Sequence, residues 1–254
     1  MHEHVNAHLY VHGKGLRVVT QVKIYVDDSV GRVIRGKDPC GRCGQHRIRE
    51  LALLSRGIEV ISRCAFWFPT MIVETIFSTL DESGRPNFAP MGIEWGQESL
   101  KVRPFRNTRT CRNLLSTGYG VVNLADDVLA YVRCALYDAI LPYFPAKTVP
   151  GVVFSDTCSW REVRLISQSG SDERAELICR VLHDGRQKDF VGFRRAGNAV
   201  IEATILATRL TILDRNTLAD GMNHYGKIIG RIGDDTEKQA FQLVQEYVET
   251  RGNQ

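Results

Sequence analysis

The sequence predicts an α+β protein, an antiparallel β-rich body followed by a helical tail. Three observations carry this. Strand-like runs separated by turn clusters recur from Met71 to His183. From Phe193 onward, apolar residues fall at helical spacing. Composition and charge both shift near Met71: residues 1–70 hold 11 Lys/Arg against 6 Asp/Glu, and residues 71–254 hold 22 against 23.

Residues 1–70 read as a poorly patterned extension, either disordered or the product of an over-long reading frame. Leu16–Val19 and Val22–Val26 can pair as two short strands, and a weakly patterned helix spans Arg49–Ser62. Cys40, Cys43 and His46 resemble half of a zinc site, with Cys64 or an early histidine as a fourth ligand, but the spacing matches no recognised finger. No metal is assigned.

The body begins with Met71–Thr79 as a strand, Asp81–Pro86 as a turn and Asn87–Trp95 as the returning strand. Ser99–Phe105 adds a third. Asn107–Ser116 is a short helix with Asn107 or Thr108 as its cap and Gly118 as its stop. Tyr119–Leu124 is a fourth strand, and Asp126 or Asp127 caps a helix to about Asp138. Leu141–Pro150, with three prolines, is a loop. Trp160–Ser167 and Ala175–His183 are further strands. The tail then carries helices over Phe193–Leu213, Leu218–Arg231 and Thr236–Thr250, the last with Phe241, Val244 and Val248 on one face.

Hydrophobic content of 43% and charged content of 24% are those of an ordinary globular protein. There is no apolar run of about eighteen residues, so no membrane span is expected, and the start Met1-His2-Glu3-His4 is not a signal peptide. Seven cysteines in a chain of 254 residues are expected to be reduced thiols in the cytoplasm. The near-neutral body argues against nucleic acid as a partner. There is no Walker A loop, dinucleotide fingerprint or nucleophile elbow.

The segment Arg103–Asn123 carries the candidate chemistry. Arg103, Arg106, Arg109 and Arg112 recur every third residue, which on a helix gathers positive charge on one side. Thr108 and Thr110 stand where free amides and the positive end of the helix dipole point. Together they suit a phosphate, and equally a solvated basic helix start. Two charge-assisted contacts contribute about 3–6 kcal/mol, whereas micromolar binding needs about 8 kcal/mol. A tightly held nucleotide-like group must also bury a ring. Asn87-Phe88-Ala89-Pro90-Met91-Gly92 can serve as its wall or simply as core. Cys111, beside the helix start, is either a buried structural thiol or a thiol of lowered pKa. Cys134, Cys158 and Cys179 read as buried, and His183 as a general base or a turn histidine. Glu74 and Glu162 lie on strands with nothing marking them as an acid–base pair, and Trp160 reads as core.

These segments resemble a family known only as a domain of unknown function, number 447 (DUF447), whose members are FMN-binding split barrels related to flavin reductases and pyridoxamine-phosphate-oxidase-like proteins. The resemblance lies in Met71–Ile76 with Ser78–Asp81, Asn87–Gly92, Arg103–Phe105 through Thr108, Thr110 and Asn113, Gly120–Asn123, Pro150–Val153, Cys158–Val163 and Gly192–Ala196. It implies an antiparallel split β-barrel over residues 71–188, a C-terminal helical subdomain over residues 189–254, and a start near Met71. It further implies FMN as cofactor and a homodimer with FMN in two inter-subunit clefts. Arg103, Thr108, Thr110 and Asn113 would hold the phosphate and ribityl chain, with Asn87, Ala89 and Pro90 along the ring. Arg194 or Arg195 would reach the same pocket, although the family often has Asn-Arg-Ala where this chain has Arg194-Arg195-Ala196. The implied activity is a flavin-dependent oxidoreductase with NAD(P)H or another electron donor. The alternatives are a non-enzymatic flavin module (carrier, sensor or assembly factor) and a site for another phosphate ligand or a deazaflavin.

Overall fold

The computed structural model describes residues 71–252 in full and, before them, the backbone of three strands. These are β1 (His4–Gly13), β2 (Leu16–Asp27) and β3 (Arg32–Arg35), an antiparallel sheet in that order within a unit of its own, Met1–Cys64. Leu16–Val19 and Val22–Val26 do not pair with each other. They lie on one continuous strand that pairs with β1, from Gly13↔Leu16 to His4↔Tyr25. Thr20 and Gln21 between them carry no turn chemistry that would reverse the chain. The zinc half-site and the Arg49–Ser62 helix fall outside the described residues.

The second unit contains β4 (Ile72–Leu80), β5 (Pro86–Glu94), β6 (Ser99–Val102), α1 (Arg109–Thr117), β7 (Tyr119–Leu124) and α2 (Val128–Tyr137). It continues with β8 (Tyr143–Pro145), β9 (Val152–Phe154), β10 (Ser159–Gly170), β11 (Ala175–Arg186), α3 (Arg195–Ala207), α4 (Arg215–Ile232) and α5 (Asp235–Arg251). Six strands close an antiparallel barrel in the order β10-β11-β6-β5-β4-β7. The α+β split barrel with a C-terminal helical subdomain is therefore the fold.

Strand period places the core. On β4, Phe77 points into the barrel with Ile93, Leu100, Val122, Val163 and Leu177, while its neighbour Ile76 points outward to Phe88, Tyr131 and Phe154 beneath α2. Both faces of β4 are thus covered, which explains its nearly unbroken burial from Thr75 to Thr79. α1 contributes Cys111 and Leu114 to the barrel core. The C-terminal helices share a second core with Val128 and Val132 of α2, around Val200, Ala203, Ile229, Ala240 and Val244.

Local chemistry sets the helix limits. Thr108 caps α1, accepting from the Cys111 amide, and Gly118 ends it at φ 78°. Asp127 caps α2 through the Leu129 and Ala130 amides. A capping box of Asp234 and Glu237 starts α5. The helix expected over Phe193–Leu213 is shorter, because the chain turns at Thr208.

Leu141–Pro150 differs from the loop expected of three prolines. Tyr143–Pro145 pairs with Val152–Phe154 as a two-stranded ribbon. The segment between them is held by Glu162, which is fully buried. Its carboxylate accepts from the amides of Lys147 (2.9 Å), Thr148 (2.5 Å) and Val149 (3.1 Å) and from Trp160 Nε1 (3.1 Å). Burial pushes its pKa up, but these donors favour the charged form and hold it below the ordinary glutamate value. Trp160 is half-buried, edge-on to Phe144 at 5.6 Å.

A depressed carboxylate pKa stabilises the fold above the unfolded value, about 4.3, and that contribution disappears as pH falls through the lower folded value. Glu162→Gln, which faces three amide donors with an amide of its own, is expected to cost about 3 kcal/mol at neutral pH. Urea unfolding from pH 3 to 7 is expected to show the gap between variant and parent narrowing towards the acid end.

Candidate functional site

The barrel is closed between β5 and β6 by only two residue pairs, Ile93↔Val102 and Glu94↔Lys101. Beyond them the strands part. β5 stays on β4 along its whole length, from Glu94↔Ile72 to Pro86↔Leu80. The chain after β6 turns instead to the β10–β11 hairpin: the Ala175 amide donates to Pro104 O (3.0 Å), Phe105 bridges Arg174, and the Arg106 amide donates to Glu173 O (3.0 Å). Pro104, without an N–H, cannot extend a ladder on its other side. The edge of β5 from Pro86 to Gly92 thus has a strand partner on one side only, and Pro90 is tolerated there because an edge strand can spare a donor.

The start of α1 stands against this edge. Asn87 Nδ2 donates to Thr110 Oγ1 (3.1 Å), and Asn113 Nδ2 donates to Thr79 Oγ1 (3.2 Å). Thr79 and Asn87 are register partners, so two amides and two hydroxyls form one polar patch between hairpin and helix. Thr110, Thr79 and Asn113 are buried. Thr108 Oγ1 donates to Phe105 O (2.7 Å) and accepts from the Cys111 amide (3.3 Å). The first amides of α1, Arg109 and Thr110, are left without a partner among the described residues. A cleft of about 430 Å³ opens beside the patch, lined by Asp81, Glu82, Ser83, Arg112, Asn113 and Ser116.

Three of the expected residues, Asn87, Thr110 and Asn113, therefore meet in this patch, with Thr108 at the cap of α1 and Ala89 two residues along β5 on the same face as Asn87. Pro90 shares the strand, but alternation turns its ring to the opposite face, with its register partner Ile76. Arg103 stands where the strands part, with Nη2 held by Glu94 (3.0 Å) and Glu176 (3.2 Å). Arg195 is exposed at the start of α3. Its neighbour Arg194 is committed elsewhere, to Asp234 and to the buried Glu237 (3.0 Å), joining the starts of α3 and α5.

The four arginines at every third residue do not form one helical face, because α1 begins only at Arg109. Arg106 donates to Ser171 O (2.6 Å), and Arg109 pairs with Asp138 (2.5 Å) at the C-cap of α2. Cys111 is fully buried, and burial pushes its thiol up despite Arg106 and Arg112. Burial likewise pushes Cys134 and Cys179 up to about 12. His183 is not at a strand end, since β11 runs on to Arg186; its ring packs 6.4 Å from Trp160. Asp184 pairs with Arg161 (2.8 Å) and Asp189 with Arg186. Glu74 accepts from Tyr131 Oη (3.2 Å). Among the described residues no cluster of His, Cys, Asp or Glu is placed to hold a metal, and no helix is long and apolar enough to cross a membrane.

A six-stranded split barrel with a polar patch at the split and helices behind it is the class of protein that fold and site define. Residues 73–188 match the N-terminal domain model of a protein family of unknown function, DUF447, and residues 194–246 match the second model of that family. The chain belongs to the DUF447 family. Among solved structures it is similar to the FMN-bound protein MM1853 from Methanosarcina mazei, of the same family. That match has 27% identity, covers 72% of this chain and 98% of the other, and has a TM-score of 0.63. More distant similarities are to the 2-nitrobenzoate 2-nitroreductase NbaA of Pseudomonas fluorescens (16% identity, 47% of this chain and 66% of the other, TM-score 0.41) and to the flavoredoxin of Desulfovibrio vulgaris (21%, 50% and 75%, 0.38).

In the native protein Cys111, Cys134, Cys158 and Cys179 are all buried. A thiol reagent followed by peptide mapping is expected to label none of them at neutral pH before unfolding. Rapid labelling of Cys111 would reopen the reactive-thiol alternative.

Proposed function

We propose that this chain is an FMN-binding flavoprotein, with the cofactor laid along the free edge of β5. The observation that carries this reading is the parting of β5 and β6 beside the start of α1. The likeness to an FMN-bound member of the same family, over 72% of this chain and 98% of the other, supports it. The donor set suits the group. Free helix-start amides and the hydroxyls of Thr108 and Thr110 are suited to a phosphate. Asn113 and Asn87 are suited to the ribityl hydroxyls. Ala89 and the backbone of β5 through Pro90 offer a small apolar wall with unpaired peptide groups to the polar edge of a flavin ring. Arg103 is held by Glu94 and Glu176 where the strands part, and Arg195 is assigned to the same pocket from the helical subdomain.

Ala89 and Pro90 are only half-buried in one chain, and phosphate contacts alone bind weakly. A homodimer, with each FMN covered by a second copy, removes that shortfall. The barrel over residues 71–188 and the helical subdomain over residues 189–254 form the flavin-binding body, with residues 1–70 an extension outside it. The FMN supplies hydride or electron transfer, and the chain's own residues bind it, orient it and exclude water. On this basis the activity is that of a flavin-dependent oxidoreductase in the cytoplasm, drawing on NAD(P)H or another donor. A non-enzymatic flavin module is a second reading, favoured by one observation: the acids where the strands part, Glu94 and Glu176, are both taken up by Arg103.

Thr110→Val and Asn113→Leu are expected to strip FMN from the purified protein while leaving the circular dichroism spectrum unchanged. Variants that copurify with a full complement of cofactor would place the phosphate elsewhere. Steady NAD(P)H oxidation by the loaded protein separates the oxidoreductase from the carrier, which would bind FMN and leave the nucleotide untouched.

A further inference from the structure

Resting on the FMN reading, we infer that Arg112 supplies the charge that selects a phosphorylated flavin. Each of the other three arginines before and along α1 is already occupied. Arg103 has Nη2 between Glu94 and Glu176. Arg106 spends Nε and Nη2 on the carbonyls of Ser171 and Ser169. Arg109 is neutralised by Asp138. Arg112 differs from all three. Its Nη1 donates back to Asn107 O at 2.8 Å, which folds the side chain over the first turn of α1. No carboxylate pairs with it, and Nε and Nη2 have no partner among the described residues.

Arg112 is exposed and lines the 430 Å³ cleft together with Asn113, a residue of the proposed cofactor site. Two carboxylates face the same cleft from the β4–β5 turn. Asp81 spends Oδ1 on the Ser83 amide and hydroxyl and the Arg85 amide (2.9, 2.7 and 2.9 Å), and Glu82 is exposed. Neither is within ion-pair distance of Arg112. An open guanidinium edge beside free helix-start amides matches the fork geometry of a phosphate. Arg103, fixed between two acids on the other side of the split, does not.

The test is titration of the cofactor-stripped full chain with FMN and with riboflavin, which lacks the phosphate, for the parent, Arg112→Gln and Arg103→Gln. Arg112→Gln is expected to weaken FMN by about tenfold or more, the loss of one charge-assisted hydrogen bond, and to leave riboflavin within about twofold. Arg103→Gln is expected to leave the ratio of the two affinities unchanged. An unchanged ratio in Arg112→Gln, or a collapse of the ratio in Arg103→Gln alone, would overturn the assignment. A parent protein that binds neither flavin would instead bring down the FMN reading and this inference with it.

Discussion

Everything at the candidate site depends on a missing piece of β-ladder. Antiparallel strands next to each other in sequence ordinarily pair along their length, since unmet backbone groups are costly where water is excluded. Here β5 and β6 pair at two positions and then separate. The chain after Val102 is drawn to the tip of the β10–β11 hairpin by the bonds of Pro104, Phe105 and Arg106. The barrel closes, yet one strand keeps an edge free at the point where α1 begins. A group carrying a polar rim and an anionic tail can meet backbone edge and helix start together, which neither feature would hold alone.

Electrostatics sorts residues that look alike in sequence. Four arginines three residues apart suggest a single cationic stripe, but each meets a different environment. One is clasped by two acids, one is tied to carbonyls, one is neutralised across a helix end, and one is left open to the cleft. The acids that decide this, Glu94, Glu176 and Asp138, are 9, 73 and 29 residues from the arginines they engage. The same long-range logic governs Glu162. Its buried charge is retained because four N–H donors converge on it, and it orders a proline-rich segment that local propensity would leave irregular.

What could be read from sequence was what is decided locally. The caps at Thr108, Gly118 and Asp127, the β4–β5 hairpin around Asp81–Arg85 and the amphipathic α5 all rest on neighbouring residues, and the structure has them. The pairing of Asn87 with Thr110 and of Asn113 with Thr79 gathers three of the residues singled out by the family resemblance. What could not be read needed three dimensions. The ribbon at Tyr143–Phe154 depends on Glu162. The opposite facing of Ala89 and Pro90 follows from strand period, but only once the strand is known to run unbroken through a proline. The absence of a break between Val19 and Val22 hung on Thr20 and Gln21, which are neutral locally and were overridden by pairing with β1.

Whether the split holds FMN is read from the absorbance spectrum of the purified protein, with heat-released ligand identified by mass. An occupied split gives a yellow protein whose spectrum carries the bands of oxidised flavin and whose released ligand has the mass of FMN. A folded, colourless protein that also fails to take up added FMN would contradict this occupancy and leave only the barrel and its family standing.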